Sequence, residues 1–546
     1  MSTIRETADA AASGLTHYHM AAGDEFWGRL SVGEHDWVAV TLAAGTTYSF
    51  GAVGLGVLDT GVTNPKLILH GADGQVLLRD DNSGPGSSAA LTYTAATSGT
   101  YYLDVLAVRS GAQGQYGLSM ATGGKVSYGV DLGAAELFRP GLSWAADGAT
   151  PVHLTYGFRE AGPAFDADGT SVPFQQATAA QMTAVAKALG NYADVANLTF
   201  ERVNPAGYTD SAAILIGQYT STTDGAGAFG NFPGSTDAAA EDGDVWLNTD
   251  AVSQRNLPSG SYSAYVMLHE LGHAMGLDHP GDYDADPNIT ITYADDAQFL
   301  QDSAQYSVMS YFDAVETEPK APGHYAQTLM MYDIYALQQL YGVNAAARSG
   351  NSVYGFHGTE GGVYNFATNA APLLCIWDGA GVDRLDVSGF GMAQRIDLNA
   401  GHFSDIGGYS QNVSIAVHCK IENASGGDGA DTVIGNRLAN RLVGLGGNDT
   451  LIGAAGNDRL AGGSGADEFV FAKGSGKDTV VDFDMATDVL SLDASVWGGL
   501  VKTAAEVVQD HVTMVNGHVV LDFGADEIAL LKVTSITGLA ADIHIL

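Results

Sequence analysis

The stretch "HELGHAMGLDHP", residues 269–280, has the form H-E-x-x-H-x-x-G-x-x-H, and its reading decides what surrounds it. It closes the run "SAYVMLHELGHAMG", whose composition predicts a helix. On a helix, His269 and His273 are four apart and leave by the same face. Gly276 suits a left-handed cap, and Pro280 stops the helix from resuming. The turn at Gly276 lets His279 double back as a third nitrogen ligand. Zn²⁺ favours nitrogen donors, and its catalytic sites carry three protein ligands plus a water. Such a water drops in pKa towards ~7 and becomes a nucleophile at neutral pH. Glu270, beside the first histidine, is placed to take its proton as general base and pass it to a departing amine. A bare H-E-x-x-H arises by chance on charged helices. The added glycine and third histidine at fixed spacing make that reading improbable here.

The 546-residue chain is long enough for about three domains. At 46% hydrophobic residues it can bury several cores. Asp and Glu number 62 against 23 Lys and Arg, a net charge of −39. Nucleic acid and anionic membranes are excluded as partners, and divalent cations are attracted. No apolar run reaches a membrane span, and the first residues lack the basic-then-apolar pattern of a secretory signal. Taken alone, that pattern predicts a cytoplasmic protein. Two cysteines, Cys375 and Cys419, allow one bridge at most.

Residues 1–20 read as a leader. From 21 to 122, short runs such as "DWVAVTL", "PKLILHG" and "GTYYLDVLAV", punctuated by Gly, Asp and Asn, predict an all-β sandwich. Residues 123–140 read as a linker. From 141 to 345, strands such as "AAILIGQY" alternate with two long helices, which predicts an α+β domain. Beyond it, "GGDGADTVI" (426–434) opens five units that succeed one another every nine residues. A nine-residue Gly–Asp period is the signature of a calcium-binding parallel β-roll. Asp431, Asp449, Asp458 and Asp467 take the sixth position, and turn glycines such as Gly427, Gly429, Gly444 and Gly447 add carbonyl oxygens. Hard oxygen donors of this kind suit Ca²⁺. The second unit carries Asn436 and Asn440 instead and is expected to bind weakly or not at all.

The zinc motif continuing as "HPGDY", "YSVMSYF" (306–312), "DIYALQQLYGVN" and the nonapeptides together resemble the serralysin family of secreted metzincin proteases, over roughly residues 142–546. The sandwich stretch, through "DWVAVTLAAGTTY" and "SGTYYLDVLAV", resembles the bacterial pre-peptidase C-terminal domain. The resemblance implies a multidomain chain: an N-terminal all-β sandwich, an α+β metzincin zinc protease domain, and a C-terminal RTX parallel β-roll with β-sandwich elements over 346–546. It implies Met309 as the structural Met-turn beneath the metal. It implies Tyr311 as a further zinc ligand that swings away to stabilise the oxyanion. "AFGNFPG" matches the family's edge strand, which makes Ala228, Phe229, Gly230, Asn231 and Phe232 the substrate-binding segment, pairing with peptide as an added strand.

The same resemblance assigns further calcium loops to "RSGNS" and "WDGAGVD": Arg348, Gly350, Ser352, Asp378, Gly381 and Asp383, with Glu422 joining the first roll site. The expected cofactors are one catalytic Zn²⁺ and several structural Ca²⁺. The implied activity is broad endopeptidase cleavage of proteins and peptides by a monomer. Export is expected through type I secretion machinery, read from an uncleaved C-terminal tail, "ADIHIL". This moves the expected location to the extracellular medium, with a periplasmic proteinaceous inhibitor among the partners. The alternative is a calcium-dependent extracellular binding or surface protein with an inactive protease domain; intact His269, Glu270, His273 and His279 argue against it.

Overall fold

The computed structural model describes residues 2–546 except 56–63, 85–87, 110–111, 138, 140, 146, 149, 163, 168, 224–225, 235–240, 251–256, 285–288, 318 and 320–322. None of the site residues named above falls among the exceptions. The chain divides into two units, residues 1–317 with 328–344, and residues 318–327 with 345–546.

The first unit begins with two five-stranded sheets. One runs in the order Ser2–Arg5, Asp24–Leu30, Gly114–Thr122, Thr47–Gly54, Ala89–Thr94. The other runs His19–Met20, Asp36–Leu42, Gly99–Ala107, Pro65–His70, Val76–Asp80. Alternate residues of both, among them Phe26, Val38, Val40, Phe50, Leu67, Leu103 and Leu118, form one buried cluster. Each such side chain contributes roughly 1.5–3 kcal/mol on burial.

Here the structure differs from the expected boundaries. Residues 1–20 are not a detached leader, since Ser2–Arg5 pairs in parallel with Asp24–Trp27 and His19–Met20 pairs with Ala39–Val40. Ile4, Tyr18 and Met20 carry this segment into the core. Residues 123–140 are likewise more than a linker. They hold a helix, Val130–Ala135, that packs on the helix Met331–Tyr341. Tyr332 Oη donates to the Tyr128 carbonyl at 2.8 Å, and Ser88 Oγ donates to the buried Glu136 at 2.8 Å.

The α+β part is built on a sheet ordered Leu198–Arg202, Val152–Phe158, Ile214–Tyr219, Val245–Asn248, Ala228–Gly230. The first four strands are parallel, and the last runs antiparallel along the edge. The helix Ala179–Val195 starts from a Thr178 capping box and packs on the helix Tyr262–Ala274. Its Tyr192 Oη donates to the Leu268 carbonyl at 2.5 Å, so the motif-bearing helix is anchored from behind.

The second unit is dominated by two parallel stacks of short strands. Ala424, Leu442 and Leu460 lie in register in one sheet, and Val433, Leu451 and Phe469 in the other. All six are fully buried. Pairing therefore links residues 18 apart, so two nonapeptides make one coil of a β-roll. No helix among the described residues is long and apolar enough to cross a membrane.

Candidate metal centre and cleft

Ser261 caps the motif-bearing helix by accepting from the Ala264 amide at 3.2 Å. At the other end Gly276, with φ of +87°, donates to the His273 carbonyl, and Leu277 donates to that of Gly272, a Schellman closure. A Cβ on Gly276 would stand 1.9 Å from the Leu142 carbonyl oxygen, so both conformation and space require glycine. The chain then turns back and brings His279 to the other two histidines.

The Nε2 atoms of His269, His273 and His279 lie 3.1–3.2 Å from one another. His269 Nδ1 faces the Val308 carbonyl at 2.8 Å, and His273 Nδ1 faces that of Leu277 at 2.8 Å. A carbonyl only accepts, so both Nδ1 atoms carry the proton and both Nε2 atoms present lone pairs. His279 Nδ1 is 3.3 Å from Asp284 Oδ1. Burial, and then the neighbouring His279, push His269 down to about 3, which keeps that ring neutral. Three converging Nε2 atoms whose outward nitrogens face acceptors are what a zinc ion needs. The residues fit the metal. Glu270, between the first two histidines, is buried, and burial raises its carboxyl to about 8. With no cation partner its charge is disfavoured.

Met309 is fully buried, and its Sδ would lie 2.3 Å from a Cβ placed on Gly272, so the turn packs directly under the helix between the two ligands. Tyr311 is 40% exposed, its ring centre 4.5 Å from that of His279 and 5.6 Å from that of His269. A cleft of about 360 Å³ joins His269, Glu270 and Tyr311 to Ala226, Ala228, Tyr262 and Ile291. The whole described lining comes from residues 226–311, none from the N-terminal sandwich.

The expected substrate segment divides in two. Ala228–Gly230 forms the edge strand, paired on one side only. A Cβ on Gly230 would lie 2.5 Å from the Glu270 carbonyl, so this edge passes hard against the motif helix. Phe229 turns away from the cleft to pack on Tyr219, while Asn231 and Phe232 lie beyond the strand, Phe232 edge-on to His273 at 5.0 Å.

Three residues that support the centre escape a sequence reading. Asp333 accepts from Ser307 Oγ at 2.6 Å and from the Val308 and Met330 amides at 2.8 Å, tying down the turn that carries Met309. Asp302 Oδ1 accepts from Tyr283 Oη at 2.8 Å and Ser310 Oγ at 2.7 Å. Tyr283 in turn stacks on His279, with ring centres 5.6 Å apart. Tyr283 and Asp333 stand in the quoted "HPGDY" and "DIYALQQLYGVN", but the partners of all three are distant in sequence or fixed only by the turn, so the sequence assigns them no role.

In the roll, the Asp449 amide donates to Asp467 Oδ1 at 2.9 Å, and the Asp431 amide to Asp449 Oδ1 at 2.8 Å. A second ladder runs Asn440, Asp458, Asp478. Each aspartate is fixed through Oδ1, while the buried Oδ2 of Asp449, Asp458, Asp467 and Asp478 has no hydrogen-bond partner. Stranded carboxylate oxygens of this kind fit a hard cation. Asn440 differs, because its amide donates to the Glu422 carbonyl and to Asn436 Oδ1, closing that loop without an ion. Asp478, outside the five nonapeptides, was not legible from the repeat. Gly427 and Gly447 bring their backbones against neighbouring turns, the latter facing the Gly429 carbonyl, and Gly444 lies against Asp449 Oδ2.

Upstream, Ser352 N donates to Asp383 Oδ1 at 2.7 Å, Asp383 N donates to Glu422 Oε2 at 2.8 Å, and a Cβ on Gly381 would lie 2.2 Å from the Gly350 carbonyl oxygen and 2.7 Å from Asp383 Oδ1. Burial, and then Asp378 and Glu422, raise Asp383 to about 7. Arg348 holds a left-handed φ of +49°, and its guanidinium donates to the Trp377 carbonyl. Cys375 and Cys419 are both buried and unbridged.

The family description "Matrixin" matches residues 167–310, and "Peptidase M10 serralysin C terminal" matches residues 343–539. The metallopeptidase AprA of Pseudomonas marginalis is 37% identical over 422 residues, covering 75% of this chain and 86% of that protein. The chain belongs to the serralysin family. The metalloprotease AprA of Pseudomonas entomophila is 40% identical across 68% of this chain and 78% of its own. Serralysin B of Dickeya chrysanthemi is 37% identical across 59% and 67%. A solved pre-peptidase C-terminal domain of a Bacillus anthracis collagenase overlaps 19% of this chain and 92% of its own, at 18% identity and a TM-score of 0.16. That likeness is too slight to bear on the sandwich. As a serralysin the protein is a secreted zinc metalloendopeptidase acting on protein substrates.

Proposed function

We propose that His269, His273 and His279 hold the zinc, with Tyr311 as a further ligand, and that Glu270 is the general base. The observation that carries this reading is the convergence of three histidine Nε2 atoms at 3.1–3.2 Å beside a buried carboxyl. Zinc, when bound, supplies a Lewis acid and lowers the pKa of water at the site. Glu270 takes the proton of the attacking water and delivers it to the leaving amine nitrogen. The substrate backbone adds to the free edge of Ala228–Gly230, which fixes its carbonyl over the histidines without reading side chains, so cleavage is broad. Tyr311 Oη moves to the carbonyl oxygen as charge develops there and donates to it. Met309 and Asp333 hold the floor from which Tyr311 swings.

Tyr311→Phe tests this. It is expected to lower kcat about 10²-fold, as loss of one oxyanion donor does, while KM for a peptide substrate changes little. An unchanged kcat would remove Tyr311 from the mechanism.

The roll and the upstream loops are the calcium sites in this reading. The first set, the upstream loops, comprises Arg348, Gly350, Ser352, Asp378, Gly381 and Asp383, and the second, the roll, Glu422, Gly427, Gly429, Asp431, Gly444, Gly447, Asp449, Asp458 and Asp467. Stranded Oδ2 atoms support the second set. Asp478 joins it on the same ground. Export by type I secretion through the tail "ADIHIL", which contains the strand Ile543–Ile545, folding in extracellular calcium, monomeric action and capture by a periplasmic inhibitor complete the proposal. The sandwich is an accessory module rather than a cover for the cleft, since no described lining residue comes from it. The alternative of an inactive protease domain gains no support, with Glu270 and Tyr311 both lining the cleft.

A further inference from the structure

The cleft takes none of its described lining from the sandwich, yet one of its walls is fastened from that side. Ile289 and Ile291 line the cleft, and Ile291 packs with Tyr293 on a small cluster of Tyr283, Ala297 and Phe312. Ile289 is 60% exposed, so an apolar substrate side chain laid on it removes apolar area from water. Tyr293 opens a single helical turn, Tyr293–Asp296, and its Oη donates to the Leu300 carbonyl at 2.6 Å. The last carbonyls of a helix need donors from outside it. Lys125 supplies them. Its Nζ donates to the Ala294 carbonyl at 3.0 Å and to that of Ala297, and lies 5.7 Å from the centre of the Tyr293 ring.

Lys125 is held in turn by the sandwich. It follows the strand Gly114–Thr122 closely. The Gly123 amide donates to the Thr47 carbonyl at 3.0 Å, and the Gly129 amide to Glu25 Oε1 at 2.6 Å. Tyr128 fills the space beside Gly51, where a Cβ would stand 2.7 Å from its Oη. On the other side, the Leu300 amide donates to the Val126 carbonyl at 2.8 Å, and the Tyr128 amide to Gln301 Oε1 at 2.8 Å. Residues 125–128 are therefore a strap. Val126 and Tyr128 grip the far end of the loop that carries the wall, and Lys125 grips the turn beside Ile291.

We propose that Lys125 is a specificity-determining residue, which holds the wall that Ile289 and Ile291 present to an apolar substrate side chain. This rests on the reading of the cleft as the substrate site. Lys125 is a positioning residue, since it lies outside the cleft lining and acts through the turn Tyr293–Asp296. The sandwich thus shapes selection without touching substrate.

The test uses the full chain and peptides in which each residue flanking the scissile bond is in turn Leu or Gly. In the parent, kcat/KM favours Leu at one flanking position by about tenfold or more. Lys125→Met keeps the aliphatic stem and removes the ammonium. It lowers that preference about fivefold, through KM for the Leu peptide and not through kcat. Lys125→Arg, whose guanidinium also donates to carbonyls, restores the preference. Ile291→Ala, in the wall itself, lowers the preference without involving Lys125 and so tests the cleft reading alone. If Ile291→Ala lowers the preference and Lys125→Met does not, the proposal is overturned and the cleft reading stands. The proposal is equally overturned if Lys125→Met lowers kcat on Leu and Gly peptides alike, or if Lys125→Arg restores nothing. A parent that favours Leu at no position would sink the cleft reading and the proposal with it.

Discussion

Glu270→Ala is expected to lower kcat/KM on casein by roughly 10²–10⁴-fold, the usual contribution of a positioned general base, with zinc content and fold retained. Glu270 is buried beside the ligands, and no zinc-binding atom is removed by the change. The Nε2 atoms of the three histidines stay fixed by the Val308, Leu277 and Asp284 acceptors. Metal analysis with circular dichroism checks that half of the claim, and the rate checks the other. A variant that loses zinc along with activity would show that Glu270 supports the site instead of acting in it.

Calcium removal is expected to unfold the roll at pH 8 and to do so less at pH 5. Burial, then Asp431 and Asp467, raise Asp449 to about 7 in the ion-free fold. Burial likewise raises Asp458 to about 6 and Asp478 to about 7. In the unfolded chain these carboxyls titrate near 4. Between the two values the folded state binds more protons, so the stability of the ion-free roll falls as pH rises. It is fully present below about 4 and lost through about 6–7. Calcium reverses the trend. It needs the ionised carboxylates, and one unit below its pKa only about a tenth of a carboxyl is ionised, so calcium affinity weakens by about tenfold per unit there. Far-ultraviolet circular dichroism of chelator-treated protein at the two pH values measures this. Equal unfolding at pH 5 and pH 8 would contradict it.

What could be read from the sequence follows the range of the interactions. His269, His273 and His279 share a twelve-residue stretch in which helix geometry and one glycine turn fix their convergence, so spacing alone foretold that they meet. The roll was legible because each nonapeptide meets its equal 18 residues on, and at Asn440 an amide that donates to the Glu422 carbonyl stands in place of a carboxylate. The N-terminal strand was not, since "STIR" is four residues long and pairs in parallel, which depends on Asp24–Trp27 being in place. The helix Val130–Ala135 is six residues long with no side-chain cap, and leaves no local signal. Asp333 and Asp302 act through partners brought to them by the fold. Ala228–Gly230 does form an edge strand, but the packing of Phe229 on Tyr219 depends on a strand elsewhere in the sheet and leaves no local signal.

The most direct measurement of the central claim is anomalous diffraction at the zinc edge from crystals of the full chain. The account predicts one strong peak about 2.0–2.1 Å from the Nε2 atoms of His269, His273 and His279. Zinc bound in stoichiometric amount with its peak elsewhere, or with any of these three nitrogens out of reach, would contradict it.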